Sequence, residues 1–399
     1  MKRIYENLIL NHLQSARQMV MLTGPRQVGK TTTAREVKKD HYYLIWDNIV
    51  QRRIIVSGPD AVANHINLQE LKADMPLLIL DEIHKYSKWK EFLKGFFDVY
   101  GKDCQVIITG SSRMNIYKKG GDSLMGRYFS YRMHPLSIRE LINPGLLKKE
   151  ICSPVRLDQD SLNNLLEFGG FPEPFLRSDK RFYNRWKRLR TEQFFKEDIR
   201  DLTNIVEIGR LELLAELIRE YSGKMLNYST ISTHINTPLD TVLRWIAILE
   251  SMYYCYTIRP WFKNIPKSLR KQPKIYLWDW SLVKDKGAKI ENFLASHLLK
   301  AVHFWTDAGF GDFGLFYLRD KQKREVDFLI TRDNHPFFLV ESKFSETKSI
   351  NPSLAYFQKQ TSAPHAFQVA FAMDYVDRDC FAEKRPVRVP LITLLSQLI

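Results

Sequence analysis

The sequence predicts an α/β fold, with a parallel sheet flanked by helices in the first half. A helical stretch and a smaller mixed α/β region follow. Three observations carry this. Short apolar runs recur early, QMVMLTG, YYLIWD, PLLILD and CQVIITG, and each closes on Gly or Asp. Segments of helical period, among them TTTAREVKK and WKEFLKGFFDVYG, lie between them. A glycine-bearing loop joins the first run to the first of these segments. Strands that alternate with helices imply parallel pairing, and near-continuous apolar strands are those buried on both faces.

Taken in order, MKRIYENLILNHLQ reads as an amphipathic helix. Its acidic and polar residues break the apolar stretch that a secretory signal needs. The pattern turns helical near residue 160, with LDQDSLNNLLEFGG, the basic-aromatic RFYNRWKRLRTEQFFKEDIRDL and then GRLELLAELIREYSGKMLN. YSTISTHINTPLDTVLRWIAILESMYYCYTIRPW reads as a short helix, a turn, a second helix and a strand. Pro238 falls early in that second helix, where its missing N–H does no harm, and Thr237 is the expected cap. This is the pattern of a helix-turn-helix with a following wing strand. The last third predicts a helix over about Lys289–Val302 and strands near Leu315–Arg319, Glu325–Thr331 and Phe337–Lys343. The expected domains are 1–205, 206–262 and 263–399.

Composition narrows the class. Hydrophobic residues make up 44% of the chain, with 24 Phe, 18 Tyr and 8 Trp, which excludes global disorder. Cys104, Cys152, Cys255 and Cys380 stand far apart without a CxxC pair, against a disulfide framework or a cysteine-type zinc site. No apolar run approaches the roughly 18 residues of a membrane span. The expectation is a soluble cytoplasmic protein with no membrane association.

Gly24-Pro25-Arg26-Gln27-Val28-Gly29-Lys30-Thr31 matches GxxxxGK[ST], between an apolar strand and a helix. Backbone N–H groups of such a loop wrap phosphates, and the helix dipole favours them. Lys30 is expected to reach the β and γ phosphates, Thr31 to ligate magnesium, and Thr32 to complete the nucleotide-binding run. Leu77–Glu82 then delivers an acidic pair to the sheet's C-terminal edge, where ligands of open α/β sheets bind. Asp81 would hold the magnesium shell and Glu82 would orient the attacking water, since phosphoryl transfer is mostly positioning and electrostatics. The next run ends in Thr109-Gly110-Ser111-Ser112, where Thr109 or Ser111 could read the γ-phosphate. Arg127 is a candidate arginine finger, acting in cis or trans; a surface ion pair is its plainer alternative.

These motifs, with GRYFSYRMHPLSIREL, GGFPEP, TVLRWIAILESMYY, RPW and KIYLWDWSLV following in order, resemble the AAA+-like ATPases of bacteria and archaea that carry a C-terminal domain of unknown function. The likeness covers nearly the whole chain. It implies a P-loop ATPase module using ATP and Mg2+, a winged helix, and a small α/β domain of restriction-endonuclease-like fold. His84 departs from the family, which usually has Gln after the acidic pair.

A second cluster emerges from the end of the chain. If strands 325–330 and 337–343 form a hairpin centred on Asn334, then position 327 pairs with 341. Asp327, Glu341 and Lys343 would share one face. Glu291 on the preceding helix could join them. Two carboxylates and a lysine so gathered can hold a divalent metal for phosphodiester cleavage. The set resembles the D…ExK constellation of restriction-endonuclease-like nucleases, with Val326 where some members have Pro. A surface hairpin with a cross-strand ion pair is the alternative.

The chain has 60 Lys+Arg against 45 Asp+Glu, a net charge of +15, which points to a polyanionic partner. Between Ser251 and Trp278 lie six basic residues and no acidic one: Arg259, Lys263, Lys267, Arg270, Lys271 and Lys274. Aromatics interleave them, able to stack on bases or to pack beneath the wing. Arg244 on the second helix of the helix-turn-helix would face a groove. The expected function is an ATP-binding Mg2+-dependent ATPase whose nucleotide state controls a C-terminal half that binds DNA or RNA. The rivals are an ATP-gated metal-dependent nuclease and a non-catalytic ATP switch that binds a protein partner.

Overall fold

A computed structural model describes residues 1–110, 124–145, 148–200, 205, 207–262, 271–344 and 349–399. They divide into two compact units, one mainly on Met1–His134, the other on Pro135–Asn143 and Leu147–Ile399.

In the first unit α1 (Ile4–Ser15) precedes β1 (Met19–Thr23), α2 (Lys30–Glu36) and β2 (Tyr42–Ile45). Then come α3 (Ile49–Val56), α4 (Pro59–His65), β3 (Leu77–Asp81), α5 (Trp89–Tyr100), β4 (Gln105–Thr109) and β5 (Tyr128–Arg132). The strands form one sheet of order β2-β3-β4-β1-β5, with every pairing parallel. The central strands β1 and β3 are buried at every position, as their apolar runs require. Helix α5 buries Trp89, Phe92, Leu93, Phe96 and Phe97, spaced i, i+3, i+4, i+7 and i+8, onto this sheet's core. The edge strand β5 exposes Phe129 and Ser130. It has no continuous apolar run, so no sequence signal marks it.

The second unit begins with α6 (Ile138–Ile142), α7 (Gln159–Phe168), α8 (Pro172–Arg177) and α9 (Lys180–Gln193), the last continued by a π-helical turn over Phe194–Ile199. Helices α10 (Ile208–Glu220), α11 (Tyr228–His234) and α12 (Leu239–Ser251) lead to β6 (Cys255–Pro260) and β7 (Lys274–Leu277). The long α13 (Lys286–Asp307) is followed by β8 (Phe313–Arg319), β9 (Glu325–Arg332) and β10 (His335–Lys343). The rest is α14 (Pro352–Thr361), β11 (His365–Ala370), β12 (Val387–Pro390) and α15 (Leu391–Gln397). Their mixed sheet has the order β12-β11-β10-β9-β8-β6-β7. Lys300 on α13 is buried against Glu140 on α6 and donates to the Pro135 carbonyl at 3.0 Å.

Three expectations change. The strand expected to follow the helix-turn-helix as a wing, β6, pairs with β7 and also in parallel with β8, so a cut at 262/263 would sever one sheet. The compact units part near 134/135 rather than at 205/206. Pro238 itself is the N-cap of α12, while the Thr237 hydroxyl donates back to the Ile235 carbonyl at 3.1 Å.

Cys104, Cys255 and Cys380 are buried free thiols. Burial pushes the first and last up to about 12 and raises Cys255 well above the ordinary thiol. Among the described residues, no helix is long and apolar enough to cross a membrane.

Candidate functional site

The candidate nucleotide site forms where the C-terminal ends of β1, β3 and β4 meet. β4 lies between the other two in the sheet, so Thr109 at its end reaches the acid at the end of β3. β1 hands over to the loop through Gly24, at φ +141°, where an added Cβ would lie 2.3 Å from the Met133 carbonyl oxygen. Gly24 therefore answers both a backbone and a space requirement. Gly29 at φ +98° forms the N-cap of α2. Arg26 and Gln27 are exposed at the tip, whereas Pro25 and Val28 are buried; Thr32 is exposed in the first turn of α2.

Lys30 turns inward, donating to the Gly24 carbonyl at 2.9 Å and the Pro25 carbonyl at 2.7 Å. Burial pushes its ammonium down to about 8, partly offset by Glu82 and Asp81. Asp81 is the hub. Its Oδ2 accepts from the Thr31 hydroxyl at 3.1 Å and the Tyr43 hydroxyl at 2.6 Å, and its Oδ1 from the Thr109 hydroxyl. Glu82 takes a left-handed conformation, φ +58°, with its N–H donating to the Thr109 carbonyl at 3.0 Å. Such a strained backbone persists where the surroundings hold it and is often found at functional sites. Burial holds the Glu82 carboxyl above the usual range, opposed by Lys85, whose Nζ is 3.6 Å away. His84 is buried with Nε2 3.5 Å from the Glu82 carboxylate, so it neighbours the second acid.

Two residues at this site escaped the sequence reading. Tyr43 sits on β2 and reaches across β3's edge to Asp81. Burial, then the Asp81 hydrogen bond, pushes its phenol well above the ordinary value. Arg3 lies just before α1, buried, and donates to the Val28 carbonyl of the loop and the His134 carbonyl after β5, both at 2.7 Å. No local motif marks either residue; only tertiary structure brings them to the loop and its acid.

Arg127 does not join the cluster in cis. It precedes β5, and its carbonyl accepts from the Met19 N–H at the opposite edge of the sheet from the loop. Its guanidinium grips Asp98 on α5 bidentately at 2.8 and 2.9 Å. Ser111 lies outside the described residues.

An oxygen-only donor pair, Thr31 and Asp81, suits a hard cation that completes its shell with water and phosphate oxygens.

The second cluster also assembles. A two-residue turn, Asp333-Asn334, with both φ positive, closes the β9–β10 hairpin. The register shifts between Pro336 and Phe338 and then runs to Val340 opposite Phe328, one step from Glu341 and Asp327. The Ser342 N–H donates to Asp327 at 2.9 Å, and Lys343 binds Glu341 at 2.8 Å. The unforeseen member is Lys274. Expected as a nucleic-acid contact, it is buried instead, with Nζ 3.4 Å from Glu291, 2.7 Å from Glu325 and 3.1 Å from Asp327. Its ammonium stands among the carboxylates a divalent cation would need. Burial, then Asp327, pushes Glu291 up to about 7. Among the described residues no group of three His, Cys, Asp or Glu is arranged to hold a metal.

Of the other expected nucleic-acid contacts, Arg244, Arg259 and Lys271 are exposed. Lys263, Lys267 and Arg270 lie outside the described residues. Tyr253, Tyr256 and Tyr276 are buried, the last two stacked at 5.7 Å, so they pack beneath the strands and do not offer faces to bases.

Residues 16–142 match the family model of an AAA domain, residues 159–287 that of a domain of unknown function (DUF8612), and residues 286–390 that of another domain of unknown function (DUF4143). An uncharacterized protein of Mycobacterium tuberculosis is 23% identical over 352 residues, covering 84% of this chain and 72% of its own. An uncharacterized protein of Methanocaldococcus jannaschii is 23% identical over 387 residues, covering 89% and 85%. Among solved structures, AMPPCP-bound DnaA from Aquifex aeolicus gives a TM-score of 0.32 at 15% identity over 62% of this chain and 86% of that one. RuvB of Thermotoga maritima gives 0.31 at 16% over 63% and 86%. The likeness of residues 16–142 to AAA domains supports nucleotide binding and ATPase activity in general.

Proposed function

We propose that this chain is a Mg2+-dependent ATPase, hydrolysing ATP to ADP and phosphate, whose nucleotide state governs a C-terminal half that binds nucleic acid. One observation carries the ATPase reading: Asp81 accepts from the first hydroxyl of the P-loop helix, with Lys30 and Glu82 as near charged neighbours. The loop's N–H groups and Lys30 bind the phosphates. Thr31 and Asp81 would hold Mg2+, which when bound neutralises phosphate charge. Glu82 aligns a water with the γ-phosphorus and accepts its proton, and Thr109 keeps Asp81 in position. Arg127 enters this scheme only in trans, after release from Asp98.

The α11–α12 pair leading into β6 supports a helix-turn-helix reading of 206–262, with Arg244 and Arg259 exposed beside it. The carboxylate hairpin fits a restriction-endonuclease-like reading of 263–399. Against the ATP-gated nuclease stands Lys274, whose ammonium already occupies the space between Glu291, Glu325 and Asp327 and pairs with each. A cytoplasmic location belongs to the same reading.

The test is ATP turnover with Mg2+ alongside equilibrium nucleotide binding. Lys30→Ala is expected to lose binding. Glu82→Gln is expected to keep binding and lose about 10²-fold or more in turnover, the usual scale of a positioned general base. Turnover by Glu82→Gln at the wild-type rate removes Glu82 from the mechanism.

A further inference from the structure

The second unit holds a cationic pocket of about 390 Å³ between α9, the end of α10 and the segment running from Ser281 into α13. Lys187, Arg188, Arg219, Lys284 and Lys289 line it, with Glu192 as the acidic lining residue. Nearby carboxylates are engaged elsewhere. Asp279 pairs with the half-buried Arg190 at 2.9 Å and Glu167 pairs with Lys180. Glu216 pairs with Arg219 at 2.6 Å and offsets that one pocket cation, leaving Lys187, Arg188, Lys284 and Lys289 to carry the charge. Glu192 reaches Arg188 only at 4.0 Å, on the surface, where such a pair is worth little. Burial, then the charge of Lys180, lowers the Lys289 ammonium, and Lys187 adds to this against Asp279 and Glu167. A half-buried cation held this way gains from an anion beside it.

The cationic surface continues past the pocket. Arg181, Arg185 and Arg188 fall at i, i+4 and i+7 of α9, on one face and exposed. At 1.5 Å of rise per residue they span about 10 Å of helix. That reach exceeds a single phosphate, so the row suits a chain of phosphates, as in a nucleic-acid backbone, rather than one. A single small anion would need the pocket and leave the row unused.

We propose that this pocket and the α9 arginine row bind the phosphodiester backbone of a nucleic-acid strand, with Lys284 and Lys289 seating one phosphate in the pocket. This rests on the reading of the C-terminal half as a nucleic-acid binder and relocates its main electrostatic contact from the β6–β7 region to α9. It does not depend on ATP hydrolysis.

The experiment is fluorescence anisotropy of a labelled single-stranded oligonucleotide with the full chain, titrated across salt concentrations. Lys284→Glu/Lys289→Glu is expected to weaken binding at least tenfold. Lys284→Ala/Lys289→Ala is expected to flatten the slope of log K against log salt by roughly 0.7, for the one phosphate the pair seats. Lys39→Glu/Lys321→Glu, an equal charge change at exposed residues elsewhere, is expected to leave binding within twofold. Circular dichroism melts confirm that each variant is folded. Equal weakening by both reversals, or none by the pocket reversal, overturns this inference and leaves the nucleic-acid reading standing. A wild-type chain that binds pyrophosphate or an acidic peptide but no oligonucleotide overturns both.

Discussion

Lys30 shows how burial and charge set up a binding residue. With the ammonium lowered to about 8, its protonated form is lost above that pH without nucleotide. Phosphates placed beside it favour that form, so binding above pH 8 takes up a proton. Nucleotide affinity is therefore expected to be full below pH 8 and to fall up to tenfold per unit above it. Stability of the free protein runs the other way, because a lowered lysine gains stability as pH rises from about 8 toward its ordinary value of 10.5. Calorimetric titrations in two buffers of different ionisation heat measure the uptake; an affinity flat from pH 7 to 9.5 contradicts it. Tyr43 gives a second expectation. It donates to Asp81 from outside the motif, the position an outer partner would take if Asp81 holds Mg2+ as proposed. Tyr43→Phe should raise the Mg2+ concentration for half-maximal turnover about tenfold, with nucleotide affinity in chelator unchanged. A magnesium requirement that stays put would reduce Tyr43 to packing.

At the scale of elements, α5 and the central strands carry the first unit. Phe96 is fully buried at the centre of the helix's apolar face. Phe96→Ala should cost about 3–5 kcal/mol, read as a lower urea midpoint. Loss of under 1 kcal/mol would mean the face is not packed as described. These elements were legible in the sequence because their pattern is local: the buried strands read as apolar runs and α5 as a helical stripe. β5 was not, since an edge strand needs no continuous apolar run. The P-loop, Asp81 and Glu82 were legible for the same local reason. Tyr43 and Arg3 were hidden because their partners lie far along the chain, 38 positions to Asp81 and 25 to Val28. Lys274 failed differently: a basic, acid-free window looks solvated until β7 pairs with β6 and carries its lysine into carboxylates from α13 and β9. The hairpin register carries Asp327 toward Glu341, one step beyond the last pair, Val340 with Phe328, by way of a register shift that no sequence signal announced.

For the whole molecule, the surplus of +15 overstates what a polyanion can use. Lys274 and Lys300 are buried and Arg190 half-buried, and they are paired with Glu291, Glu325 and Asp327, with Glu140, and with Asp279 respectively. The usable charge lies in exposed rows such as that of α9. Two compact units with separate cores also set how the chain unfolds, since single-transition behaviour is usual only for small domains. Calorimetry is expected to resolve two transitions. Magnesium and nucleotide at about a hundred times Kd should stabilise one of them by about 2.7 kcal/mol. A single transition shifted as a whole would show that the units melt together.

The buried thiols have a practical consequence. Cys104 belongs to the first unit, Cys255 and Cys380 to the second, and each is shielded and weakly acidic in the folded chain. Only the thiolate reacts with alkylating reagents, so each becomes labelled when its surroundings open. The chain thus carries its own set of clocks: alkylation rates at the three positions time the opening of each half, with no residue introduced and no probe attached.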